Sequence, residues 1–345
     1  MNRLTENKII LIVRATRLAD LKARFATKMQ AKFYVSRLGG DFADYEKEDT
    51  AYQTAIAEAR HILAGLGRVQ IVQRALLPNF IFGREDIVVA LGQDGLVANT
   101  LKYLNGQPLV GVNPDPQRWD GQLLPFNVRD LDKIIREVLR HRRPVKSVTM
   151  AKVTLNTGPT LHAVNDFFIG ARTHISARYQ IRLGKLAENH SSSGVIVSTG
   201  LGSTGWLKSL LTGAAAITQL AADGNGFGSH RPPDRSSRRK EALTTEVLTE
   251  KNEPRHLGCY ERIVTGFAWD SEYLFFTVRE PFPTKKTGAS LVFGRVTAQQ
   301  PLIIESQMGE NGVIFSDGIE QDFLEFNSGT RAVIGIAERK GVLVE

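Results

Sequence analysis

Over the first third of the chain, apolar positions alternate between a strand-like and a helix-like rhythm. Lys8–Val13 is a short β-branched run, fit for a buried strand. Leu18, Leu21, Phe25 and Met29 follow at three- and four-residue spacing, which predicts a helix ending before Gly39-Gly40. Thr50 to Leu66 predicts a second helix, closed by Gly67. Val69–Val72 and Asp86–Leu91 read as strands, Leu96–Leu104 as a helix after a glycine-flanked turn, and Pro108–Val112 as another strand. Strands alternating with helices predict a parallel sheet covered on both faces. Ligands of such sheets bind at the carboxyl ends of the strands, which directs attention to the loops after Leu91 and Val112.

The rhythm changes near Pro144. Asn127 is placed to cap a helix over Val128–Arg140, and His141-Arg142-Arg143 with Pro144 stops it. Strand signals then crowd together: Ser147–Asn156, Ala163–Ile169, Ala177–Ile181 and Val195–Ser198. After a helix from about Trp206 to Ala222 they resume at Tyr273–Val278, Ser290–Arg295, Leu302–Glu305, Val313–Ser316 and Ala332–Ala337. Little helix between short strands predicts a mostly antiparallel second unit. The expected division is therefore an α/β domain over 1–144 and a β-rich domain over 145–345. Between the helix and the next strand, a polar, Pro-containing stretch at about 223–253 is expected to be a mobile basic loop.

Composition narrows the class. The chain has 345 residues, 42% of them hydrophobic, with one cysteine and seven histidines. Collagen-like, disordered and disulfide-scaffold classes are excluded, and the expectation is a cytoplasmic protein. No apolar run reaches the ~18 residues of a membrane helix, so no membrane partner is expected. The net charge of +8 points to phosphates or acidic partners, but residues 229–240 hold five Lys/Arg against one Asp and so half of that surplus. The remainder is ordinary, no stacking aromatics interleave with the basic cluster, and nucleic acid is not the expected partner.

Three segments carry candidate chemistry. Gly92-Gln93-Asp94-Gly95 lies between an apolar strand and a helix. Its glycines let the backbone approach a phosphate, the helix start offers free N–H groups, and Asp94 is placed to take a proton from a hydroxyl. The same tetrapeptide also fits a plain strand-to-helix turn with Asp94 as its N-cap. The second segment, Ser191 to Trp206, runs a strand through Ser198-Thr199-Gly200-Leu201-Gly202-Ser203-Thr204-Gly205 into a helix. Backbone N–H groups and hydroxyls there suit phosphate or ribose, although a structural Gly/Ser turn has the same composition. It is not a Walker A loop, since no Gly-Lys-Ser/Thr follows. The third is Asn165-Asp166 in an apolar strand context, where one of the two must point inward and needs a polar partner; a strand-end pair is the plainer alternative. The histidines show no metal-ligand spacing, and no G-x-S-x-G elbow is present.

Taken in order, these segments resemble the motifs of the NAD kinase family. Gly92–Gly95 is similar to its GGDG turn, Asn165-Asp166 to its Asn-Glu/Asp pair, and Thr199–Trp206 to its T-P-T-G-S-T-A-Y segment. Gly111–Pro116 (GVNPDP) and Asn165–Gly170 (NDFFIG) are most similar to the mitochondrial-type members and their bacterial relatives, and the resemblance runs from about Asp86 to Asp317-Gly318. It implies a Rossmann-like α/β domain followed by a β-rich domain, the architecture shared with diacylglycerol kinases. It also implies transfer of the γ-phosphoryl of ATP, carried with Mg²⁺, to the adenosine-ribose 2′-hydroxyl of NAD or NADH by a homo-oligomer, dimeric or tetrameric. On this resemblance Asp94 is the base. Gly92 and Gly95 cradle phosphates, Asn165 and Asp166 hold the dinucleotide, and Ser198, Thr199, Gly202, Ser203, Thr204 and Trp206 line the nucleotide site, with no metal ligand of the protein's own. The chain departs from the pattern at Gln93 (a glycine in the family), Leu96 (a threonine), Ser193 (an aspartate in many bacterial members) and Leu201 (a small hydroxyl residue). A lipid or sugar kinase of the same superfamily, and an NAD(H)-binding sensor with weak catalysis, are the alternatives.

Overall fold

A computed structural model describes residues 4–222 and 266–345. The basic loop expected at about 223–253, and with it Cys259, lies outside the described residues.

The first half follows the predicted alternation. β1 (Lys8–Val13), β2 (Arg68–Gln73), β3 (Ile87–Leu91) and β4 (Pro108–Asn113) pair in parallel in the order β2-β1-β3-β4. The central strands β1 and β3 are buried along nearly their whole length, as continuous Ile/Val/Leu runs require. The single helix expected before Gly39 is two, α1 (Arg17–Phe25) and α2 (Lys28–Arg37). Ala26 turns into positive φ, and the Thr27 hydroxyl, accepting from the Gln30 N–H, starts the second helix afresh. α3 (Phe42–Leu66) is eight residues longer at its start than apolar spacing indicated, because Asp41 caps it at Ala43. α4 (Asp94–Leu101) follows β3, and α5 (Leu131–Leu139) follows the two-residue strand β5 (Phe126–Asn127) and a short 3-10 turn.

The second half contributes β6 (Val145–Leu155), β7 (Thr160–Ala163), β8 (Asp166–Ala171), β9 (Ala177–Leu183), β10 (Leu186–Ser192), β11 (Val195–Ser198), α6 (Trp206–Ala222), β12 (Leu274–Val278), β13 (Phe293–Val296), β14 (Leu302–Ser306), β15 (Gly312–Ser316), β16 (Ile319–Glu325) and β17 (Arg331–Val344). The strand expected over Ala163–Ile169 is interrupted at Val164-Asn165 and becomes β7 and β8, which belong to different sheets. One sheet of six strands, β13-β12-β11-β8-β15-β16, is antiparallel throughout. The other strands join the parallel set, with β17 pairing antiparallel to β6 and β14 and parallel to β4.

Three large apolar clusters result. One lies under α3 and α5 and another between the two sheets of the second half. The third joins the halves: Leu96, Val97 and Leu101 of α4 pack in one cluster with Val164, Leu201 and Leu343. Val164 and Leu201 immediately precede Asn165 and Gly202, so this cluster is the floor on which distant segments meet.

Candidate active site

The strand order β2-β1-β3-β4 reverses direction between β1 and β3, and the cleft of such sheets opens at the carboxyl ends there. Gly92 follows β3 directly. Its N–H donates to the Val112 carbonyl at 3.1 Å, while the Tyr52 hydroxyl donates to the Leu91 carbonyl at 2.7 Å and accepts from the Arg14 N–H at 3.0 Å. The turn is therefore held by the ends of β1 and β4 and by α3. Gln93 occupies the N-cap position of α4 without a side-chain bond, and Asp94 is the first helical residue. Asp94 is thus not the cap. Its Oδ1 accepts from the Leu123 N–H at 2.8 Å and its Oδ2 from the Gln122 N–H at 3.3 Å. These bonds fix the carboxylate and leave part of its acceptor capacity free.

A cavity of about 280 Å³ opens beside it, lined by Asp94, Gly95, Asn165, Asp166, Gly202 and Thr204, together with Gln122, Leu123, Leu201, Gly205 and Trp269. Residues of all three sequence segments are brought together here. Gln122, Leu123 and Trp269 carried no sequence signal. They reach the cavity through the loop between β4 and β5 and through the approach to β12.

Several segment residues serve the frame. Ser198, Thr199 and Ser203 are fully buried. The Thr199 hydroxyl donates to the Val164 carbonyl at 2.5 Å and accepts from the Gly202 N–H at 3.2 Å, and the Thr199 N–H donates to the Asn165 carbonyl at 2.9 Å. Ser203 Oγ donates to the Gly200 carbonyl at 2.6 Å and accepts from the Phe267 N–H at 3.1 Å, while Ser198 Oγ donates to the Thr199 carbonyl at 3.2 Å. A Cβ on Gly202 would stand 2.1 Å from the Asn165 carbonyl oxygen, so glycine is required for the two segments to touch. Gly92 is also closely packed, against Leu96, whereas Gly95 faces open space.

Asp166 is 8% exposed. Burial, reinforced by the nearby Asp317 carboxylate, pushes its carboxyl up to about 7. Asp317 is raised by burial to about 6 against the opposing pull of the Val164, Asn165 and Asp166 N–H groups and of Lys102. The N–H groups gathered on Asp317 favour its charged form, and that charge in turn favours the protonated form of Asp166, which can donate as well as accept.

Trp206 is not in this cavity. Its ring stacks on Phe168 (centroids 5.9 Å apart, 5° between planes), and the Arg279 guanidinium lies 5.3 Å above it. Both line a second cavity of about 450 Å³ with Ser193, Glu280, Arg172 and His174. β8 borders both cavities, Asp166 one and Phe168 the other, and so does the turn in which Gly205 borders the first and Trp206 the second. Among the described residues no group of three or more His, Cys, Asp or Glu is arranged to hold a metal ion, and no helix is long and apolar enough to cross a membrane.

No family model matches the chain. Among curated proteins it is similar to the NAD kinase of Burkholderia thailandensis, 28% identical over 141 residues covering 38% of this chain and 46% of that protein. It is also similar to NAD kinase 2 of Geobacillus kaustophilus, 26% identical over 129 residues covering 36% and 48%. The chain spans about half the length of the curated relatives it matches. Its fold is that of an Archaeoglobus fulgidus NAD kinase solved in complex with ATP (TM-score 0.53, 15% identity, 98% of this chain and 93% of that one). It is equally that of yeast NADH kinase complexed with NADH (TM-score 0.53, 12% identity, 99% and 84%). Over part of its length the chain is thus similar in sequence to curated NAD kinases, and its fold is that of solved NAD kinases.

Proposed function

We propose that the chain transfers the γ-phosphoryl group of ATP, brought as its Mg²⁺ complex, to the 2′-hydroxyl of the adenosine ribose of NAD or NADH. The observation that carries this reading is the single cavity in which Asp94, Gly95, Asn165, Asp166, Gly202 and Thr204 meet from three separate stretches of chain. Asp94 accepts the hydroxyl proton as the oxygen attacks phosphorus. Gly95, at the open start of α4, admits the phosphate chain to the helix N–H groups. Asn165 and Asp166 hold ribose hydroxyls and adenine edges. Mg²⁺ neutralises charge on the transferring phosphoryl, and the protein contributes mainly position.

A dinucleotide suits the second cavity better than a single nucleotide does. Asp166 and Phe168 are two residues apart on β8, about 7 Å at the usual strand rise, so one extended ligand can enter both cavities. Trp206 and Arg279 then face the half of the dinucleotide remote from the reacting ribose. We further expect a homo-oligomer, dimeric or tetrameric, acting in the cytoplasm; sedimentation velocity of the purified protein reads the first point.

The test is incubation with ATP, Mg²⁺ and NAD or NADH, with NADP(H) quantified enzymatically. Wild type is expected to form NADP(H), and Asp94→Asn to lose on the order of 10²–10⁴-fold in turnover, the usual contribution of general base catalysis. Asp94→Asn is also expected to bind the dinucleotide in calorimetry. No product from wild type overturns the reading, and tight binding without turnover assigns the chain to the sensor class.

A further inference from the structure

Asn165 and Asp166 stand in a break in the chain between β7 and β8, and the group that holds the break open lies 152 residues beyond Asn165. Asp317, in the turn between β15 and β16, accepts from three consecutive backbone N–H groups: Val164 at 3.0 Å, Asn165 at 2.6 Å and Asp166 at 3.4 Å. Its own N–H donates to the Asp166 carbonyl at 2.9 Å. To turn its side chain into this position the residue adopts φ 54°, followed by Gly318 at φ 70°. A strand ladder would have used these N–H groups. Gathering them on one carboxylate ends β7 and presents the Asn165-Asp166 side chains to the cavity.

The same turn receives a second attachment. Lys102 caps the C-terminal end of α4, the helix whose first residue is Asp94. Its side chain is 1% exposed, and Nζ donates to Ser316 Oγ at 3.0 Å and to Asp322 Oδ2 at 2.6 Å. The Tyr103 hydroxyl donates to that same Asp322 oxygen at 2.7 Å, and Arg339 of β17 donates to the Lys102 carbonyl at 2.7 Å. Ser316 and Asp322 flank Asp317 on the β15–β16 hairpin. The helix that carries Asp94 and the strand break that carries Asn165-Asp166 are therefore attached to one hairpin, from opposite halves of the chain.

We propose that this hairpin is a bracket that sets the placement of Asp94 relative to the Asn165-Asp166 pair, with Asp317 and Lys102 as positioning residues that need not touch the ligand. The proposal rests on the phosphotransfer reading above for its kinetic consequences and on the hydrogen bonds alone for its structural ones. Phosphoryl transfer tolerates misplacement poorly: a shift of about 1 Å between acceptor and base can cost on the order of 10²-fold. A bracket is distinguishable from a stabilising ion pair, because a stabilising pair lowers the melting temperature without altering the kinetics of molecules that remain folded.

The test uses Asp317→Asn, which keeps a residue tolerant of positive φ while removing the charge, and Lys102→Met, which keeps the length of the stem and leaves Asp322 bonded to Tyr103. Assays are run well below the melting temperature of each variant. Asp317→Asn is expected to raise KM for the dinucleotide at least tenfold with KM for MgATP within about twofold, and to speed hydrogen exchange at the amides of residues 164–166. Lys102→Met is expected to lower kcat at least tenfold. The double variant should lose less than the product of the two, because both act through one hairpin. Unchanged kinetic constants alongside a lowered melting temperature overturn the proposal. If Asp317→Asn does not fold, Lys102→Met and Ser316→Ala decide it by the same kinetics. If wild type forms no NADP(H), the phosphotransfer reading fails separately. The bracket is then judged by hydrogen exchange at 164–166 and by calorimetric affinity for NAD(H), and no change in either for Asp317→Asn overturns it.

Discussion

Two glycines with the same apparent role in the sequence do different work. Gly202 presses on the Asn165 carbonyl, and a methyl group there has nowhere to go, so Gly202→Ala forces the backbones apart. We expect a loss of about 1–3 kcal/mol in urea unfolding, the usual cost of overpacking, together with loss of dinucleotide binding. Gly95 lies in the first turn of α4 with open space beside it. Gly95→Ala should therefore stabilise the protein by about 0.5–1 kcal/mol by restricting the unfolded chain, yet raise KM for ATP by narrowing the phosphate approach. Opposite signs on stability for the two variants are the observation to look for. The acid pair makes a separate prediction. Asp166 and Asp317 both sit above the ordinary 3.8 when folded, at about 7 and about 6. Between about pH 4 and 7 the folded protein thus holds more protons than the unfolded chain, and stability falls as pH rises through that window. The melting temperature of wild type should drop from pH 5 to pH 8 more steeply than that of Asp166→Asn, which lacks the titrating group. Parallel slopes would show that the pair does not couple to folding.

At the scale of elements, what was legible follows from how local the determinants are. β1, β3, β4, β11 and α6 could be read nearly to the residue, because a buried strand or amphipathic helix writes its environment into its own apolar pattern. β10 (LAENHSS) and β16 (IEQDFLE) escaped because edge strands are largely solvent-facing and their polar residues look like loop. The β7–β8 break escaped for another reason: its cause, Asp317, lies far away in sequence. The site divides in the same way. Asp94, Gly95, Gly202 and Thr204 are legible from turn chemistry and Asn165-Asp166 as a polar pair in an apolar strand context, and all reach one cavity, whereas Gln122, Leu123 and Trp269 reach it through tertiary placement alone. Ser198, Thr199 and Ser203 were legible as hydroxyls but not as frame-building ones, since only their partners reveal that. Tyr52 is an element-scale determinant of this kind: one hydroxyl joins the ends of β1 and β3 to α3, immediately before the Gly92 turn. Tyr52→Phe leaves the Arg14 N–H and the Leu91 carbonyl without that partner, and we expect about 1–3 kcal/mol lost in urea unfolding. Because the turn itself is loosened, kcat/KM should fall more than a stability loss alone would produce in molecules that remain folded.

At the scale of the whole molecule the question is whether the division expected near Pro144 is also a division in folding. β17 argues against independence, since it leaves the second half and pairs with β4 in the parallel sheet. That pairing is short, Val342 with Pro108 and Leu343 with Leu109, and at about 1 kcal/mol per hydrogen bond it is too small to couple two units by itself. The shared apolar cluster weighs more. Leu96, Val97 and Leu101 from the first half meet Val164, Leu201 and Leu343 from the second, and each buried large side chain is worth about 1.5–3 kcal/mol. The bracket from Lys102 to the β15–β16 hairpin adds an ion pair whose lysine side chain is 1% exposed and whose partner comes from the other half, so separating the halves breaks it. We therefore expect the described residues to unfold in one transition. Trp119 reports on the first half and Trp206 on the second, so variants that keep one of these two, with the other and Trp269 replaced by Phe, should give superimposable urea curves. Leu343→Ala, which empties a position 3% exposed in the shared cluster, should move both curves together by about 2–5 kcal/mol. If only the Trp119 curve moves, the halves fold separately, and the cluster is a contact surface between two domains and not a common core.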